Sequence, residues 1–262
     1  MPTPPDNQST QTAAIILAAG KGTRMGGDLP KVLHEVAGRP MVHWVIDAAR
    51  AADATPIILV VGYREDLVRT ACADMDVAFV TQAEQLGTGH AVAVCEDALT
   101  GDTGHAGDTL VLAGDGPLIR TEVLHQLIDT HRDTKSAATL ATAELDDPTG
   151  YGRIVRDDEG HFDRIVEHKN ATETQLGITE VYPSYAVFDT AALFADLKVL
   201  PRNAVSGEYY LTTVPERLRE QGRTVSLVPG VPAEDILSIN TPEQRAAVDA
   251  VLRNRAGMEP CS

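Results

Sequence analysis

From residue 12 onward the chain alternates short apolar runs with amphipathic stretches. Residues 13–19 (AAIILAA), 56–61 (PIILVV), 77–81 and 109–113 (TLVLA) are apolar without polar alternation. This is the pattern of strands buried on both faces of a parallel sheet. Between them, residues 41–52 place Val42, Val45, Ile46 and Ala49 on one helical face, and 64–73 and 89–99 suit helices. Thr121 is placed to cap a helix running to about residue 131, and 137–143 read as a further strand. The βαβα order predicts an open, mostly parallel sheet with helices on both faces.

After residue 146 the pattern shifts to β. Residues 150–156 and 162–166 flank the acidic turn 157–160 and predict a hairpin. A strand is predicted over 181–188, helices over 190–197 and 209–220, and a strand over 224–228. Thr241 and Pro242 open a last helix with an N-cap and Pro at N1. No composition break separates the halves. The expected organisation is a tail over 1–12, one domain over 13–254 with a β-rich insertion at about 144–190, and a tail over 255–262.

Composition supports a folded enzyme: 262 residues, 43% apolar and 23% charged. The 22 Lys+Arg against 38 Asp+Glu leave a net charge of −16. Such a field repels phosphate backbones and anionic lipid, which argues against nucleic-acid and membrane partners. A local cationic cluster would still hold a small anion. The three cysteines, Cys72, Cys95 and Cys261, show no metal or redox spacing. No apolar run approaches the ~18 residues of a membrane helix, and residues 1–11 lack the apolar stretch of a signal peptide. A cytoplasmic protein with reduced thiols is expected.

Candidate chemistry begins at residues 17–31, LAAGKGTRMGGDLPK. A glycine-rich loop leaves the first strand at its C-terminal end, where open α/β sheets bind ligands. Small residues let backbone N–H groups approach phosphate oxygens, and Arg24 and Lys31 bring positive charge to an acidic chain. The dinucleotide-binding fingerprint fails because Met25 stands where its third glycine would be, and no Gly-x4-Gly-Lys-Ser/Thr loop exists. A dehydrogenase is therefore disfavoured. Taken alone, the loop would be a glycine turn with surface cations.

The loop and LPKVLH at 29–34 together resemble the signature of sugar-1-phosphate nucleotidylyltransferases. QAEQLGTGHA at 82–91, DDPTGYGRI at 146–154, VEHK at 166–169 and GEYYLT at 207–212 narrow the resemblance. They are similar to the uridylyltransferase domain of bacterial N-acetylglucosamine-1-phosphate uridylyltransferases, over about residues 13–251. The resemblance implies a Rossmann-like sheet of the nucleotide-diphospho-sugar transferase type, with a sugar-binding insertion. The family's C-terminal β-helix acetyltransferase has no counterpart here, so that second activity is not expected.

Carried over, Leu17, Ala18, Ala19 and Gly20 would hold the nucleotide. Gln82 would read the uracil edge with an amide able to donate and accept, while Gly87 and Thr88 close over the base. Arg24 would lie on the leaving pyrophosphate and Lys31 near the α-phosphate. Asp115 and Asn240 would ligate Mg²⁺. Ala113, Gly114, Gly152, Glu167 and Tyr182 would surround the sugar, and Lys169 would meet its phosphate. The implied partners are UTP and a sugar 1-phosphate. Outside this family context, Asp115 would be a turn residue and Asn240 a loop amide. His34 and His90 suit packing and hydrogen bonding rather than catalysis, and Trp44 suits the core.

Departures gather on the sugar side. Ala113 stands where the family has Tyr, Tyr182-Pro183-Ser184 where it has Asn-Thr-Gly, Gly116 where it has Val or Thr, and Thr213 where it has Asp. The expected reaction is UTP plus a sugar 1-phosphate giving UDP-sugar and pyrophosphate. The sugar is left open between N-acetylglucosamine 1-phosphate, another hexose or amino sugar, and a cyclitol phosphate. A non-catalytic nucleotide-sugar-binding homologue is the alternative from another class.

Overall fold

A computed structural model describes residues 11–22, 28–237, 239 and 241–257. Its centre is a seven-stranded sheet. Strands β1 (Thr12–Leu17), β4 (Ile57–Val61), β5 (Ala78–Thr81), β6 (Asp108–Ala113), β7 (Ala138–Ala141), β12 (Tyr185–Asp189) and β13 (Val225–Val228) lie in the order β13-β7-β12-β6-β1-β4-β5. All neighbours are parallel except β12, which runs antiparallel to both β6 and β7.

The chain leaves β1 towards β4 and β5, then returns to β6 on the other side of β1. A crevice opens at such a reversal, beyond the carboxyl ends of the two central strands. Leu17 pairs with Ala113 there.

Alternate side chains of β1 enter opposite cores. Ala14 and Ile16 join Val42, Val45 and Ile46 of α1 (Met41–Ala51) and Leu124 and Leu127 of α4 (Thr121–Thr134). Ala13 and Ile15 join Val92 of α3 (Thr88–Ala93), Leu193 of α6 (Thr190–Leu197) and Leu218 of α7 (Val214–Glu220). This two-sided burial is what the unbroken apolar runs predict. Trp44 packs beside Val36 and Met41 and donates its indole N–H to the Val36 carbonyl at 3.1 Å, next to a small ribbon of β2 (Glu35–Val36) and β3 (Arg39–Pro40). Helix α2 (Glu65–Ala71) joins β4 to β5.

The insertion is a separate antiparallel sheet of β8 (Ala143–Glu144), β9 (Gly152–Arg156), β10 (Phe162–Val166) and β11 (Glu180–Tyr182), ordered β10-β9-β11-β8. Helix α5 (Glu173–Leu176) precedes β11. The expected hairpin is β9–β10, and Asp157 organises its turn by accepting from the Glu159 and His161 backbone N–H groups.

Several expected elements are revised. The single strand over 181–188 is two strands, β11 and β12, which belong to different sheets. Pro183 has no N–H to continue the ladder, and Ser184 turns the chain with φ +69°. The helix expected over 209–220 is α7, preceded by a 3₁₀ turn at Leu211–Thr213. Tyr209 stays outside the helix because its N–H is held by the Leu86 carbonyl at 2.8 Å, and Tyr210 is extended. The helix expected over 89–99 ends at Ala93, and residues 97–101 form a wide π-type turn. Arg120, not Thr121, is the N-cap of α4. The last helix, α8 (Pro242–Ala256), is capped by Thr241 in a reciprocal capping box with Gln244. Thr12 and Arg255, both expected in tails, are ordered: Thr12 opens β1 and is buried, and Arg255 is helical and ion-paired to the buried Asp235.

No described helix is long and apolar enough to cross a membrane. Burial pushes the Cys72 thiol up to about 11 and the Cys95 thiol up to about 12. Thiolate is the reactive form, so both should resist thiol reagents in the native protein. Titration should therefore find no more than one reactive thiol before denaturation and three after it.

Candidate active site

Two clefts open at the carboxyl ends of the central strands. The first, about 460 Å³, is lined by Leu17, Ala19 and Gly20 after β1, and by Gln82, Gly87 and Thr88 after β5. The second, about 620 Å³, lies between the main sheet and the insertion and is lined by Gly152, Glu167 and Tyr182 among others. Lys31, Ala113, Asp115 and Ser184 line both.

At this junction Lys31 Nζ lies 2.6 Å from Asp115 Oδ2, with the two side chains 17% and 27% exposed. The pair is desolvated on one side and accessible on the other. Asp115 is delivered by the end of β6, and Lys31 by a 3₁₀ turn, Lys31–Leu33, whose Val32 and Leu33 are anchored in the core.

The turn that closes the first cleft is tied to a distant segment. Gly89 N–H donates to the Tyr209 carbonyl at 2.8 Å, and Leu211 N–H donates to Thr88 Oγ1 at 3.0 Å. Gly87 has φ +105°, and a Cβ there would stand 2.5 Å from the Tyr209 carbonyl oxygen. Only glycine meets both demands. Gln85 reaches back to the Ala19 carbonyl at 2.8 Å and fixes the loop after β1.

In the second cleft, Glu167 accepts from Thr212 at 2.8 Å. Tyr182, paired with Gly152 across β9–β11, is buried among apolar neighbours of the second core. Burial, and then the Glu167 carboxylate, push its phenol well above the usual range. Tyr185 is also buried, and its hydroxyl would stand 2.8 Å from a Cβ at residue 116. The glycine at 116 thus leaves room for a phenol that a fully packed core cannot move cheaply. Gly116→Ala should destabilise the fold by about 1–3 kcal/mol, and adding Tyr185→Phe should recover much of the loss in thermal denaturation.

Some expected site residues sit elsewhere. Ala18 is packed in the core, with its N–H on the Val60 carbonyl, and Gly114 donates to the Leu17 carbonyl. Neither lines a cleft. Lys169 does not line the second cleft. Its ammonium lies 3.4 Å from Glu208 and over the Tyr210 ring, and both of these residues line the first cleft. The Tyr210 phenol and then Glu208 hold Lys169 above the usual lysine range. Arg24 and Asn240 lie outside the described residues. Sequence reasoning assigned no role to Ser184, Gln85, Glu208, Tyr210 or Thr212. All but Ser184 stand inside recognised motifs, but only the fold shows what each touches.

Among the described residues, no group of three or more His, Cys, Asp and Glu gathers as a metal centre. Mg²⁺ accepts one or two protein oxygens and takes the rest from phosphate and water. A half-open carboxylate where the two clefts meet fits that demand, and Asp115 is that group.

Two clefts thus converge on the Lys31–Asp115 pair, and comparison with known proteins identifies the class as nucleotidyltransferase. A profile of the MobA-like NTP transferase domain matches residues 14–176, and the chain belongs to that family. It is 43% identical over 242 residues to the bifunctional protein GlmU of Halalkalibacterium halodurans, and 42% identical to that of Clostridium perfringens. Each alignment covers 92% of this chain and 52% of the relative, so the chain spans about half the length of the curated relatives it matches.

Solved structures share the fold at low identity. A Bacillus anthracis protein described as a glucose-1-phosphate thymidylyltransferase, solved with sucrose, superposes with a TM-score of 0.74 at 18% identity, covering 96% of this chain and 98% of its own. A UDP-glucose pyrophosphorylase complexed with UDP-glucose gives 0.72 at 16%, covering 94% and 99%.

Proposed function

We propose that this chain transfers a uridylyl group from UTP to a sugar 1-phosphate and releases pyrophosphate. The observation that carries the reading is the junction of the two clefts at Lys31 and Asp115. A triphosphate in the first cleft and a sugar phosphate in the second would meet there.

An oxygen of the sugar phosphate bonds to the α-phosphorus as the bond to the bridging β-phosphate oxygen breaks. That nucleophile is already anionic at neutral pH, so no strong general base is needed. The protein's task is alignment and charge compensation. Lys31 would neutralise the transferring phosphate. The loop after β1 would hold the triphosphate with backbone N–H groups, and Arg24 beyond it would act on the leaving pyrophosphate. Asp115, with Asn240, would hold Mg²⁺, which when bound supplies positive charge to phosphate oxygens. Glu167, Gly152 and Tyr182 would face the sugar, and Lys169 would act from the rim through Glu208 and Tyr210.

A pyrophosphate-release screen of nucleoside triphosphates against sugar 1-phosphates tests this reading. Turnover with UTP is expected. Turnover only with ATP or GTP would refute the pyrimidine assignment, and none at all would favour a non-catalytic homologue.

The sugar is proposed to differ from N-acetylglucosamine. Tyr182 is buried where the family places an amide, Pro183 beside it offers no N–H, and Ala113 opens the junction where the family has an aromatic. Losing a bonding group of this kind costs ~1–3 kcal/mol. The kcat/KM for glucose 1-phosphate or a cyclitol phosphate should therefore exceed that for N-acetylglucosamine 1-phosphate. Clear preference for the acetylated sugar would restore the ordinary family substrate. Tyr182→Asn with Ala113→Tyr should shift preference towards that sugar.

A further inference from the structure

Gln82 is 4% exposed, yet it lines the first cleft. Fixed neighbours set the polarity of its amide. Nε2 lies 3.0 Å from the Gly87 carbonyl oxygen and 3.1 Å from His90 Nδ1. A carbonyl only accepts, so the NH₂ end must face Gly87. The opposite orientation would set two oxygens against each other. The Gly87 carbonyl is itself held, because it also accepts from the Ala91 N–H at 3.1 Å. His90 Nδ1 meets the same NH₂ group and must therefore accept, which puts the imidazole proton on Nε2. Both amide N–H groups are thereby engaged within the protein. Oε1 takes no hydrogen bond among the described residues, and it is the end of the amide left to a ligand.

We propose that His90 is a positioning residue for base selection. By accepting from Gln82, it makes that amide a pure acceptor towards the base. The expected ability of Gln82 both to donate and to accept is thus narrowed to accepting. A pure acceptor selects a base with a ring N–H, as uracil and thymine have at N3. Opposite N3 it disfavours cytosine, the near-isostere whose N3 is itself an acceptor. The inference rests on the first cleft being the nucleotide site of the transfer proposed above.

The test is calorimetric binding of UTP, CTP and 3-methyl-UTP to the full chain with Mg²⁺, in the wild type, His90→Asn and His90→Leu, with pyrophosphate release followed in parallel. The wild type should bind UTP at least about tenfold tighter than CTP or 3-methyl-UTP. His90→Leu frees one Gln82 N–H, and the UTP-to-CTP ratio should fall about tenfold. His90→Asn, which keeps an acceptor near the position of Nδ1, should retain most of the ratio. A ratio unchanged in His90→Leu would overturn the proposal. So would wild-type binding of 3-methyl-UTP as tight as that of UTP, which needs no folded variant. UTP-selective binding without pyrophosphate release would support the selection and refute the transfer reaction. Equal release from UTP and CTP would do the reverse, and no UTP binding would refute both.

Discussion

Asp115→Ala should lower pyrophosphate release by at least ~10³-fold at any Mg²⁺ concentration while leaving the fold intact. The residue stands where both clefts meet, 2.6 Å from Lys31 and on the last turn out of β6. Its side chain is partly exposed, so the core loses little when it is removed. What is lost is the carboxylate at the junction, and with it an ion pair to Lys31. Circular dichroism and melting should resemble wild type. Wild-type turnover in this variant would remove Asp115 from the reaction and the proposed Mg²⁺ site with it.

Lys31→Ala is the second large effect. A preorganised charge at a reacting phosphate contributes about 10²–10³ in kcat. The lysine is held in place by the short turn it opens, whose next two residues are core anchors. The loss should fall on kcat, with the KM for the sugar 1-phosphate changing far less, because the charge is needed most while the phosphate bonds rearrange. A rise in KM alone would make Lys31 a ground-state binding residue. Because Lys31 and Asp115 are in contact, the double variant should lose much less than the product of the two single losses.

The apolar runs and turn residues were enough to place most strands, most helices and the β-rich insertion. The central strands of the main sheet are buried on both faces, and that leaves an unbroken apolar signature. The loop at 17–22 was legible for a related reason: it follows a strand end, and a mostly parallel sheet brings its strand ends to one edge. Lys31, Gln82, Gly87 and Asp115 were given roles only through the motifs shared with the family. What stayed illegible was pairing between distant segments. The run at 181–188 is apolar apart from Ser184, yet its two halves enter different sheets because Pro183 cannot donate and Ser184 turns left-handed. Tyr209 and Tyr210 looked helical until the Leu86 carbonyl and Ser206 held them.

The sequence by itself therefore determined the architecture, the chemical types in the site and the order of the motifs along the chain. These depend on periodicity and local backbone preference, which neighbouring residues carry. Only the tertiary structure decided that Lys31 faces Asp115, that Lys169 leans to Glu208 across the cleft rim, that Gly116 makes room for Tyr185, and that His90 and the Gly87 carbonyl set the polarity of Gln82. The first three are contacts between atoms far apart in the chain, and the last closes a turn whose shape the distant Tyr209 backbone sets. A side chain's type states what it can donate or accept, and only its neighbours in space settle which of those capacities is left for a ligand.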